Sequence, residues 1–188
     1  MIMIFGDPYR FAIWVEFIPE WNDTFMNGFF YIFINGEMYP DDIRTSTLSV
    51  DICDILDDKN PLISFPANKK VFDMDPAKAF AELMDLAHPE STDENEYPEQ
   101  NFDFSILTSN INSSGMTLFA VSDSSNIKIL GAKTDKLVKE EGCDRYYWIK
   151  NEEIHVKEVV ISNHEVKNII EKLKEYALPI LQNARYTK

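Results

Sequence analysis

Glycine is scarce in this chain: 188 residues hold six, at positions 6, 28, 36, 115, 131 and 142, and no two approach a G-x-G spacing. That excludes the glycine-rich turns that cradle dinucleotides and nucleotide phosphates, and no serine lies in a G-x-S-x-G elbow. Histidine is scarcer still. His88 sits beside the helix-breaking Pro89, His155 alternates with Val156, and His164 lies in a helix-opening turn, so no pair has the helical spacing of a zinc site. Cys53 and Cys143 are the only cysteines, and neither has a C-x-x-C partner. The opening Met1-Ile2-Met3-Ile4-Phe5 has no positive region ahead of it and no cleavage-type apolar core, so it does not read as a secretory signal. The thiols are therefore expected to be reduced, in a cytoplasmic protein. The longest unbroken apolar run, from Phe29 to Ile34, is far short of the roughly 20 residues of a membrane-spanning helix.

Basic residues are missing from one whole stretch. The formal charge of the chain is −14, yet residues 79–127 hold nine acids and no Lys or Arg, while residues 128–188 are almost balanced. A one-signed block of this kind repels nucleic-acid phosphates and attracts basic partners, in addition to keeping the chain in solution.

What the sequence does have is strand and helix patterning. From Phe11 to Ile18, Phe11, Ile13, Val15 and Phe17 share one face, and Ala12, Trp14, Glu16 and Ile18 the other. Phe29 to Ile34 is apolar on both faces, and Asn35-Gly36 accepts the positive φ angles of a type I′ turn into a short return strand that Pro40 ends. Ser46 to Val50 reads as a further strand, and Asp51 to Asp57 is ambiguous between strand and helical turn. Asp75-Pro76 opens a helix with the stripe Phe80, Leu83, Met84 and Ala87. A capping box, Ser162-Asn163-His164-Glu165, opens a long one that Pro179 is expected to kink. Strands are expected at 102–108, 116–122, 127–132 and 154–161. The pattern predicts an α+β fold: a single domain over 1–188 with a mainly antiparallel sheet, an N-terminal β-hairpin, a mid-chain helix and a long C-terminal helix.

Carboxylates are abundant enough that chance pairs occur. Asp41-Asp42 with Glu165-x-Lys167 superficially resembles a metal-dependent nuclease set, but Glu165 belongs to a helix cap and the surface charge would repel the substrate. No catalytic residue, metal ligand or cofactor site is assigned. Binding groups stand out instead. Five acids, Glu90, Asp93, Glu94, Glu96 and Glu99, fall within ten positions of an expected loop at 90–99 that also holds Tyr97. Trp21 lies among polar residues between the first two long strands, and Tyr146-Tyr147-Trp148 follows Asp144-Arg145. Aromatic residues in wet, charged settings anchor protein interfaces. Trp21 is expected at an interface and Trp148 in the core.

Three stretches carry a family resemblance: Ile4-Phe5-Gly6-Asp7-Pro8-Tyr9-Arg10-Phe11-Ala12-Ile13, Asn35-Gly36-Glu37-Met38-Tyr39-Pro40-Asp41-Asp42-Ile43-Arg44-Thr45-Ser46-Thr47-Leu48 and Asp93-Glu94-Asn95-Glu96-Tyr97-Pro98-Glu99. In pattern and order the chain resembles the immunity protein 42 family of bacterial polymorphic toxin and contact-dependent inhibition systems, with the likeness tailing off after about residue 150. The resemblance implies a small cytoplasmic protein that neutralises a cognate toxin by binding it, and it brings no catalytic residues. A basic toxin, a nuclease first among them, suits the acidic surface; neither nucleic acid nor membrane is expected as a partner. An acidic binding module or nucleic-acid mimic with a different partner, and a small enzyme with an unrecognised site, are the alternatives.

Overall fold

A computed structural model describes residues 3–21 and 26–182. The chain opens with β1 (Met3–Asp7), β2 (Phe11–Phe17), a 3-10 turn at Pro19–Trp21, β3 (Asn27–Ile34), β4 (Glu37–Tyr39) and the two-residue β5 (Ser46–Thr47). They form an antiparallel sheet in the order β1-β2-β3-β4, with β5 beside the start of β3. Register explains the burial pattern. Phe11 faces Ile34, Ile13 faces Ile32 and Val15 faces Phe30, all at most 1% exposed, so one face of this sheet is core. The other face carries Trp14 opposite Tyr31 and Glu16 opposite Phe29. Both Asn35 and Gly36 have positive φ, 50° and 83°, as the tight β3–β4 hairpin requires.

Helices α1 (Leu48–Ile55), α2 (Pro61–Ser64), α3 (Lys69–Phe72), α4 (Pro76–Ala87) and α5 (Ser109–Asn112) follow. Then come β6 (Met116–Ser122), β7 (Asn126–Lys133), β8 (Asp135–Lys139), β9 (Tyr146–Lys150), β10 (Lys157–Ser162) and α6 (Asn163–Gln182). Strands β10-β7-β6 make a second antiparallel sheet, and β8-β9 a separate two-stranded one. The second sheet is sandwiched. Leu118, Ala120, Ile127 and Ile129 point at the first sheet and share its core with α1 and α6. Phe119, Val121, Leu130 and Ala132 point the other way, under Phe80, Leu83 and Ala87 of α4. The layers approach to backbone distance at Gly131, where an added Cβ would lie 2.7 Å from Leu118 Cδ2 and from Tyr39 Cζ.

The α+β antiparallel fold, the N-terminal hairpin and both main helices match expectation. Asp75 Oδ1 accepts the Lys78 N–H at 3.1 Å and caps α4. At α6, Ser162 Oγ accepts from the Glu165 N–H at 3.1 Å, while the Glu165 carboxylate turns away to accept from Arg10 Nη1 at 2.9 Å. Pro179 lies inside α6, which runs on to Gln182.

Two expected strands differ. Ser46 to Val50 is strand only to Thr47, because Leu48, Ile52 and Ile55 form a helical stripe that α1 buries. Residues 102–108 form no strand. A turn with Ser105 N bonded to Phe102 O at 2.9 Å interrupts the segment, and two ladder-like bonds, Ile106 N to Leu118 O and Ala120 N to Phe104 O, attach it to β6.

Candidate functional site

Three exposed surfaces compete as the binding site. The first is the acidic loop. It leaves the end of α4, turns through a small bridge between Thr92 and Asn95, and returns where Asn101 N bonds Leu86 O at 2.8 Å. Glu90, Asp93, Glu94, Glu96 and Glu99 are all exposed, and none is among the ion pairs of the described residues. Tyr97 is 84% exposed and donates its hydroxyl to Glu96 at 3.2 Å.

The second is the outer face of the first sheet, and Trp21 belongs to it. The 3-10 turn, closed by Trp21 N on Ile18 O at 3.0 Å, sets the indole edge-on over Phe29, with centroids 5.5 Å apart and planes at 67°. Trp14 stacks on Tyr31 at 5.0 Å and lies 6.2 Å from Phe29. Four rings thus make one cluster. Tyr31 is buried beneath it, its hydroxyl held by the backbone of Arg44, whose guanidinium is clamped by both oxygens of Asp42 at 2.7 Å. Trp21 itself is 43% exposed. Sequence reasoning found Trp21 but missed Trp14, Glu16 and Phe29 as its companions. The available signal was the outward alternation of Phe29, Tyr31 and Phe33, with Trp14 on the outward face of the neighbouring strand.

The third is the β8–β9 arm, which carries Tyr146, Tyr147 and Trp148 at 59%, 52% and 48% exposure. Trp148 is therefore not a core residue. Among the described residues no third strand joins the two-stranded sheet, and Trp148 lies opposite Leu137 with its ring beside Gly115. A groove of about 370 Å³ with an apolar floor of Phe80, Met84 and Ile154 runs between α4 and the base of the arm.

The structure does not bring the candidate residues together. The acidic loop trails α4, which covers the far side of the second sheet, whereas Trp21 sits on the outer side of the first. The nuclease-like carboxylates are dispersed in the same way. Asp41 accepts from Lys133 at 2.6 Å, Asp42 holds Arg44 and Glu165 holds Arg10. Among the described residues no group of three His, Cys, Asp or Glu is placed to hold a metal ion, and no helix is long and apolar enough to cross a membrane. Cys53 and Cys143 are both free and exposed.

One buried carboxylate is structural. Asp51, 1% exposed, accepts from Ser46 Oγ and from the Asn110 N–H at 2.9 Å, and burial holds its carboxyl above the usual range. Asn110 in turn donates its side-chain amide to Phe30 O at 2.9 Å, so the cluster ties α1 and α5 to the first sheet. Its polar atoms face one another, leaving nothing there for a substrate.

The model of the immunity protein 42 family matches residues 3–176, extending the likeness well past residue 150 into α6. Among solved structures, the crystal structure of CdiI from Burkholderia dolosa AUO158 is similar in fold. The TM-score is 0.68 at 21% identity, covering 92% of this chain and 99% of that one. Comparison with curated proteins returns no match.

Proposed function

Because the chain belongs to the immunity protein 42 family, we propose that it neutralises a cognate bacterial toxin in the cytoplasm by stoichiometric binding, acting as one folded unit and without turnover. The family match over residues 3–176 carries this reading. The surfaces support it in kind: carboxylates outside the ion pairs of the described residues and clustered aromatic rings are displayed on the outside, while the buried Asp51–Asn110 cluster satisfies itself. With a net charge of −14, the toxin that fits is a basic protein, a nuclease first among them, and neither nucleic acid nor membrane is a partner. The acidic loop at 90–99 and Trp21 contribute to toxin binding in this reading.

The test is co-expression with the toxin domain encoded beside the gene, followed by calorimetry on the purified pair. Protection with one-to-one binding of nanomolar strength, about −12 kcal/mol, is the expected result. Protection at substoichiometric amounts, or chemical change in the toxin, would show an enzyme instead.

A further inference from the structure

We propose that the toxin docks on the outer face of the five-stranded sheet, with a segment that presents arginine or lysine side chains to the Trp14–Trp21–Phe29 cluster. The proposal rests on the immunity reading above and assigns its grip to one surface.

The inner face of the first sheet is core, and the second sheet is covered on both sides. Among the described residues, the outer face of the first sheet has no helix or strand layer over it, and only the segment at Arg44 closes over Tyr31. It exposes Ile4 at 45% and Trp21 at 43%, and leaves Trp14, Phe29, Phe33 and Met38 half-buried. Part-exposed aromatic rings clustered on one face of a folded chain mark an interaction surface.

Charge identifies the occupant. Glu16 lies on this face, directly opposite Phe29 in register, and Glu20 lies on the turn that carries Trp21. Neither is among the ion pairs of the described residues, and the guanidinium at the border, Arg44, is already held by Asp42. Aromatic faces beside unpaired carboxylates attract cations twice, through the ring quadrupole and through the charge. A second copy of this chain is the wrong occupant, because two acidic faces on molecules of charge −14 repel. Anionic nucleic acid and membrane surfaces are repelled in the same way. A cationic protein segment fits. The face grips at short range, while the acidic loop, on a separate layer, acts at a distance.

Binding of the toxin domain encoded beside the gene, made catalytically silent, tests this. Wild type is measured first. Trp21→Ala should weaken affinity about 30-fold or more, with Trp21→Phe recovering most of the loss. The double variant Glu16→Gln/Glu20→Gln should weaken it about tenfold, by less at high salt, while Tyr147→Ala on the β8–β9 arm stays within about twofold. Circular dichroism checks each fold; if Trp21→Ala does not fold, the carboxylate pair decides. Wild-type binding that both sets of variants leave within about twofold overturns the proposal and spares the immunity reading. A dimer in sedimentation that Trp21→Ala dissolves overturns it in favour of self-association. Failure of wild type to bind the toxin overturns both.

Discussion

Neutralising the acidic loop should slow association with the toxin and leave the fold untouched. The perturbation is Asp93→Asn, Glu94→Gln, Glu96→Gln and Glu99→Gln together. All four side chains are exposed and lie outside the ion pairs of the described residues, and the exposed bond from the Tyr97 hydroxyl to Glu96 can be kept by the amide oxygen of Gln. The magnitude follows from Coulomb's law. One unit charge about 10 Å from an opposite charge in water gains about 0.4 kcal/mol, and four such pairs about 1.7. At about 10 mM salt the Debye length is near 30 Å, which leaves about 1.2 kcal/mol, or a seven- to eightfold effect on the rate. At about 150 mM the same sum shrinks to roughly 0.5 kcal/mol, about twofold. Stopped-flow mixing with the silent toxin, followed by intrinsic tryptophan fluorescence at both salt concentrations, reads the two ratios. Melting should be unchanged or slightly raised as self-repulsion falls. Equal on-rates at low salt would refute the reasoning, and so would a difference that high salt does not shrink, because that would mean a contact rather than a field.

The interior yields three stability predictions. Asp51→Ala strips the acceptor from the Asn110 N–H and the Ser46 hydroxyl and should cost about 3 kcal/mol, read by urea unfolding. Burial raises the folded value of the Asp51 carboxyl above its unfolded one, so this group opposes folding at neutral pH and ceases to as pH falls through the folded value. Asp51→Asn should remove that acid-side gain; an unchanged pH profile would refute it. Gly131→Ala would place a methyl 2.7 Å from Leu118 and Tyr39 and should cost about 1–3 kcal/mol, seen as a lowered Tm without loss of toxin binding.

What was legible in the sequence was local. Asn35-Gly36 and Asp75-Pro76 announce their turn and their helix because the chemistry of two or three neighbouring residues decides both. The segment at 102–108 alternates well enough to read as a strand, but the Phe102–Ser105 turn is set by packing against β6, which no local pattern records. The sequence of α1 reads as strand up to Val50 and as ambiguous from Asp51, because a short apolar run suits either periodicity until the core beneath it is known. The candidate site was half legible. Exposed aromatics announce themselves by polar company, which found Trp21. The stack of Trp14 on Tyr31 depends on the pairing of β2 with β3, a tertiary fact. Trp148 was misjudged for the same reason, since composition does not say whether a layer will close over a hairpin.

The seam between β1 and α6 sets the order in which the protein becomes competent. Phe5 packs on Tyr176 with centroids 5.7 Å apart, and Arg10 reaches Glu165, 155 positions further along the chain. During synthesis the first sheet therefore emerges with its inner face bare. Phe5, Val15 and Phe30 must wait for Val166, Ile169 and Leu173 to be translated before their core can close. Closure over such a separation is slow, and strands held open in the meantime are the species that chaperones bind. A ribosome part-way through the message carries no usable antidote.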